Sequence, residues 1–144
     1  MTRRVQHLVV EDVIAIHEET MQLLGQAPTP LLRAGDLESA LYRTRMAEQY
    51  DAEADILRLA ALLAVGISQA QAFLDGNKRT AFVALVTFLR ANGYTLTRGG
   101  LEASEQLTRV AERTGEREAA ERDFEAWLRG VVAPVVPLAE TTGC

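Results

Sequence analysis

Cysteine is all but missing from this chain: Cys144, the last residue, is the only one. That excludes a disulfide framework and a cysteine-ligated zinc site. A surplus of positive charge is missing too. Fifteen Lys and Arg stand against twenty Asp and Glu, a formal net charge of −5. No global basic field points to nucleic acid, and no nucleic-acid partner is expected. No uninterrupted apolar run approaches membrane-spanning length. The basic start at 1–4 is followed by an apolar stretch broken by Gln6, Glu11 and Asp12, so no secretory signal is expected. No internal repeat, low-complexity segment or interdomain linker is found. A cytoplasmic protein with no membrane partner is the expectation.

The 144 residues suffice for one domain with a sizeable core, and the hydrophobic share of 48% is that of a globular protein. Ala, Leu, Glu and Arg dominate and β-branched runs are few, which favours helices. An all-α fold of about six helices is expected over 1–133, followed by a flexible tail over 134–144 that Pro134 and Pro137 mark. Val10, Val13, Ile14, Ile16, Met21 and Leu24 predict a helix over 9–24, with Glu11 and Asp12 near its start. Pro28 and Pro30 make 26–35 a loop. A second helix is expected over 36–46, capped by Asp36. Ile56, Leu59, Ala60, Leu63, Ala64 and Ile67 recur at helical spacing and predict a third over 51–69. The fourth, over 78–91, is apolar on nearly all sides from 81 to 89 and is expected to be the central buried helix. Residues 94–100 read as a turn or short extended piece. Two amphipathic helices follow, over 101–114 and 116–129.

Between the third and fourth helices lies Gln71-Ala72-Phe73-Leu74-Asp75-Gly76-Asn77-Lys78-Arg79-Thr80. Its polar cassette suits a phosphate chain. Asp75 can hold Mg²⁺, which prefers oxygen ligands and bridges a carboxylate to substrate phosphates. Gly76 can take positive φ and let a phosphate approach the backbone. Asn77 can cap the next helix or donate to phosphate. Lys78 and Arg79 fall in the first helical turn, where open N–H groups and the helix dipole attract anions. A plain surface loop capping a helix would look similar. Cations in a first turn oppose the dipole, however, and an anionic ligand removes that conflict.

These residues resemble the Fic/Doc family signature, His-x-Phe-x-(Asp/Glu)-(Gly/Ala)-Asn-(Gly/Lys)-Arg, at Phe73, Asp75, Gly76, Asn77, Lys78 and Arg79. Lys78, the apolar helix, Asn92-Gly93-Tyr94, Ala15-Ile16-His17-Glu18 and Leu37-Glu38-Ser39-Ala40-Leu41 look like the Doc, or death-on-curing, branch. The likeness covers about the first two-thirds of the chain. It implies a Fic-type helical bundle. It also implies a transferase that moves a phosphoryl or nucleotidyl (AMP) group from ATP or another nucleoside triphosphate to a Ser, Thr or Tyr hydroxyl of a target protein. In this likeness Asp75 holds Mg²⁺, Gly76, Asn77, Lys78 and Arg79 contact phosphates, and Phe73 anchors the loop. Asp75 and Arg79 also serve catalysis, together with position 71. The Doc branch further implies a toxin–antitoxin module, hence an antitoxin partner. No Glu is followed by Gly or Asn, so the inhibitory helix motif of many relatives is absent from the sequence.

One departure stands out. Gln71 occupies the position of the family's His, which accepts the proton of the attacking hydroxyl. A glutamine amide cannot accept it near neutral pH. Impaired transfer is therefore expected; the alternative is a catalytically silenced protein that binds nucleotide or a partner. The only histidines are His7 and His17. His7 is expected to be exposed, and His17 to support the site from behind. Arg33 precedes the 37–41 stretch but is offset from the family's target-docking flap, and no role is carried to it. Tyr94 and Trp127 read as core.

Overall fold

A computed structural model describes residues 4–113 and 115–135. Six helices and a two-stranded ribbon form the fold: α1 (Val10–Leu23), α2 (Ala34–Tyr50), α3 (Ile56–Ala70), α4 (Asn77–Ala91), β1 (Tyr94–Leu96), α5 (Gly100–Glu112), α6 (Arg117–Arg129) and β2 (Val132–Pro134). The all-α expectation holds.

The third helix occupies the middle. From Leu59 to Gln69 every residue but Leu62 is buried, and α3 packs against α2, α4, α5 and α6. Small residues make this placement work. A Cβ on Gly66 would lie 2.9 Å from the Cβ of Ala40, so α2 and α3 approach as closely as side chains allow. Ser68 donates to the Leu107 carbonyl, and Gln69 Nε2 to those of Val110 and Arg113, so α3 also satisfies the end of α5. The expected central helix, α4, shares the core rather than holding its centre alone. Thr80, Ala81, Ala84, Leu85, Phe88 and Leu89 are buried, but Phe82, Val83 and Val86 are only half-buried and Thr87 is exposed.

Helix starts differ from expectation for local reasons. The third helix begins at Ile56 because two aspartates turn the preceding backbone. Asp51 Oδ1 accepts the Glu53 N–H at 3.0 Å, and Asp55 Oδ1 accepts the Arg58 N–H at 2.9 Å as N-cap. The second helix begins at Ala34, so Asp36 lies in its first turn and does not cap it. The fourth begins at Asn77 with Gly76 as N-cap.

The 94–100 segment supplies β1. Its antiparallel partner β2 pairs Tyr94 with Pro134, Thr95 with Ala133 and Leu96 with Val132. Pro134, expected to begin a tail, belongs to β2, and residues 136–144 lie outside the described residues. Pro134 ends the strand, where its missing N–H costs no ladder bond. Among the described residues no helix is long and apolar enough to cross a membrane.

Candidate active site

The motif loop joins the two core helices. Its first residue, Gln71, ends α3 in the left-handed region at φ 47° and ψ 45°, the only such non-glycine among the described residues. Its Nε2 donates to the Ser68 carbonyl at 2.8 Å, satisfying a carbonyl at the helix end. Its own carbonyl accepts from Arg33 Nη1 at 3.0 Å.

The next residues run against the α1–α2 connection. Leu31 and Phe73 form an antiparallel bridge. The N–H groups of Leu32 and Arg33 donate to the Ala72 carbonyl at 2.7 and 3.0 Å, and that of Leu74 to the Pro30 carbonyl at 3.1 Å. Phe73 is buried, as a loop anchor must be, and the imidazole of His17 stacks on it at 3.9 Å with planes 6° apart. His17 is buried on α1 and its Nε2 lies 2.9 Å from the Asp75 carbonyl. A carbonyl only accepts, so Nε2 carries a hydrogen and cannot serve as a base. His17 therefore supports the loop from behind.

Gly76 has φ 82°, and a Cβ there would meet Met21 Sδ at 2.7 Å. The positive φ favours glycine, and a Cβ there would also displace the Met21 thioether. Asn77 departs from its expected part. It is the first residue of α4, not its cap, and its side chain folds back on Phe73. Oδ1 accepts the Phe73 N–H at 2.9 Å and Nδ2 donates to the Phe73 carbonyl at 2.8 Å. One Nδ2 hydrogen is left for a ligand.

Among the described residues no side chain caps α4, so the amides of its first turn stay open. Lys78 and Arg79 are exposed there, and neither pairs with a carboxylate among the described residues. Lys78 Nζ donates to Thr108 Oγ1 on α5 at 3.0 Å. The exposed Asp75 takes the Gly76 N–H on Oδ1 at 2.8 Å, and Oδ2 has no partner among the described residues. Gln71, Asp75, Gly76, Asn77, Lys78 and Arg79 line one open cleft of about 470 Å³, closed on the far side by Thr108, Ala111 and Glu112 of α5. That size suits a small ligand. Two exposed carboxylates, Asp75 and Glu112, beside open amides and two cations fit a hydrated Mg²⁺ bound with phosphates, not an all-protein metal cage. Among the described residues no group of three His, Cys, Asp or Glu could hold a metal.

A second hollow, about 720 Å³ between α2 and α6, is a weaker candidate. Several of its charges are already paired: Arg43 binds the buried Glu121 through Nε and Nη2 at 2.9 and 2.8 Å, and Arg58 binds Asp51 and Glu125. The Arg43 guanidinium is held above its ordinary range chiefly by the Glu121 hydrogen bond, against burial.

The sequence reading missed Thr29, Met21 and Thr108, which touch the loop from elsewhere in the chain. Only the position of Thr29 between Pro28 and Pro30 could have drawn notice.

This chain belongs to the Fic/DOC family, whose match spans residues 7–89, more than half of it. It is similar to the protein kinase Doc of Escherichia phage P1, at 30% identity over 88 residues, covering 61% of this chain and 69% of that protein.

Proposed function

We propose that the protein is a Doc-like toxin that transfers the terminal phosphoryl group of ATP, or another nucleoside triphosphate, to a Ser, Thr or Tyr hydroxyl of a target protein. The observation that carries this reading is the open start of α4, where Lys78 and Arg79, with no carboxylate partner among the described residues, line one cleft with Asp75. The similarity to a protein kinase favours phosphoryl over nucleotidyl transfer. In the reaction, the target oxygen forms a bond to the terminal phosphorus as the bond to the diphosphate oxygen breaks, and the hydroxyl proton passes to solvent or phosphate. Mg²⁺, when bound, neutralises and orients the phosphates; Asp75 would hold it. The open amides with Lys78 and Arg79 bind the phosphate oxygens, and the remaining Asn77 hydrogen adds a donor. Phosphoryl transfer has a loose transition state, so positioning and charge neutralisation carry most of the rate.

Gln71 stands where the family's His accepts a proton, and loss of a positioned base costs ~10²–10⁴-fold. Slow transfer follows. An antitoxin protein would restrain the toxin, and a cytoplasmic location goes with that pairing.

The Gln71 side chain, turned onto the Ser68 carbonyl, favours a second reading: a silenced Fic fold that binds nucleotide without turnover.

The test is incubation with lysate and ATP labelled separately at the α and γ phosphates, for wild type and Arg79→Ala. Mg²⁺-dependent γ-label on protein, lost in Arg79→Ala, is expected. Label from the α phosphate would mean nucleotidyl transfer. No label, with nucleotide binding intact in calorimetry, would establish the silenced protein. No binding at all would remove both readings.

A further inference from the structure

We propose that Thr29 and His17 are positioning residues for the Asp75 carboxylate. The proposal rests on the metal-and-phosphate reading of the cleft. One hydroxyl holds both polar backbone groups of Asp75: Thr29 Oγ1 accepts its N–H at 3.2 Å and donates to its carbonyl at 3.1 Å. That carbonyl also accepts from His17 Nε2 at 2.9 Å, and the same Nε2 lies 3.2 Å from Thr29 Oγ1. His17 from α1 and Thr29 from the α1–α2 connection therefore meet at the backbone of one residue of the motif loop, Asp75.

The carboxylate itself has little to fix it. It takes only the Gly76 N–H among the described residues, so its direction follows from the Asp75 peptide. The surroundings of that peptide are stiff. His17 is buried and lies flat on Phe73, and Met21 leaves no space beside Gly76. Thr29 stands between two prolines, which narrow its own backbone choices. Pro30 in turn accepts the Leu74 N–H. A carboxylate on a free loop would lose conformational entropy each time it took a cation. One aimed in advance avoids most of that cost.

Thr29→Val separates aim from packing, because it keeps the side-chain shape and removes the hydroxyl. Thr29→Ser restores the hydroxyl. Both are compared with wild type by calorimetry with Mg²⁺ and ADP, by amide hydrogen exchange, and by thermal melting. Thr29→Val is expected to bind Mg²⁺-ADP roughly five- to tenfold more weakly, the scale of one lost hydrogen bond, and to exchange the Asp75 amide faster. Thr29→Ser is expected to recover both. His17→Phe, which keeps a ring on Phe73 without the donor, is expected to weaken binding in the same direction. Equal affinity in Thr29→Val would overturn the proposal, as would a loss that Thr29→Ser fails to rescue. Should wild type bind no Mg²⁺-nucleotide, the reading of the cleft fails, and amide exchange decides the positioning by itself. Faster exchange confined to 74–76 supports it, and an unchanged Asp75 rate overturns it.

Discussion

Gln71 carries two loads at once. It adopts a left-handed conformation that costs a non-glycine residue of order 1 kcal/mol, and its amide closes the end of α3 on Ser68. Both belong to the helix end, so the position is structurally occupied whether or not it takes part in transfer. A histidine placed there is exposed to the same cleft and would bring a proton acceptor beside Asp75 and Arg79. Gln71→His is expected to raise protein labelling by ~10²–10⁴-fold while leaving nucleotide affinity nearly unchanged. Time courses of γ-label transfer with wild type, Gln71→His, and Gln71→His carrying Arg79→Ala check this. The double variant should lose the gain. Equal rates for the first two would show that wild type already works without a base at this position, or that the site transfers nothing.

Among the elements, α3 and α4 divide the core unequally. Phe88 on α4 is fully buried, whereas Phe82 is only half so. Phe88→Ala should cost about 3–5 kcal/mol in denaturant melts, and Phe82→Ala clearly less, because less apolar surface leaves water there. Equal losses would place Phe82 deeper than the fold does. The start of α3 is tied to α6 by a chain of charges. Arg58 bridges Asp51 and Glu125, and Arg129 bridges Glu125 and Asp55. Burial pushes the Asp55 carboxyl up, but hydrogen bonds from Arg129 and the Arg58 amide outweigh it and hold the group below its ordinary 3.8. Above that ordinary value the carboxylate is ionised in both folded and unfolded chains, and its stabilisation is fully present. As pH falls through the folded value the group protonates and the stabilisation is lost. Asp55→Asn keeps a competent helix cap and removes the titration. Its stability should therefore fall less steeply than wild type as pH drops below the ordinary carboxylate range, followed by urea melts along the acid limb. Parallel acid limbs would mean that Asp55 contributes nothing there.

At the scale of the whole molecule, one buried amide fastens the lead-in to the core. Asn92, which ends α4, accepts the Gln6 N–H on Oδ1 at 2.8 Å, and its Nδ2 donates to the carbonyls of Gln6 and Phe88 at 3.0 and 2.8 Å. His7, expected to be exposed, is instead mostly buried and binds Glu48 at the end of α2 at 2.7 Å. The residues before α1 thus join α4 and α2 from outside. Asn92→Ala strips partners from the Gln6 backbone and from one helix-end carbonyl. It should cost about 1–3 kcal/mol and speed amide exchange at Gln6 first. Global destabilisation without early exchange at Gln6 would mean that the amide serves the end of α4 alone.

Composition and periodicity determined that the chain is helical, and six apolar stripes became six helices within a few residues of their expected limits. The cassette from Asp75 to Arg79 was legible because its chemistry is contiguous: acid, turn, amide and cations lie next to one another, so no long-range contact is needed to assemble them. Burial was less legible. The apolar run from 81 to 89 looked more central than α3, because it is apolar on nearly all sides of the helix. Close helix packing rewards small side chains, as at Gly66 against Ala40. The β2 strand, the inward turn of Asn77, and the grip of Thr29 and His17 on Asp75 were decided only by the tertiary structure. Each depends on hydrogen bonds to a particular partner, and most of those partners lie far away in the chain. Local sequence states that a group can donate or accept, but only the fold brings its partner within 3 Å.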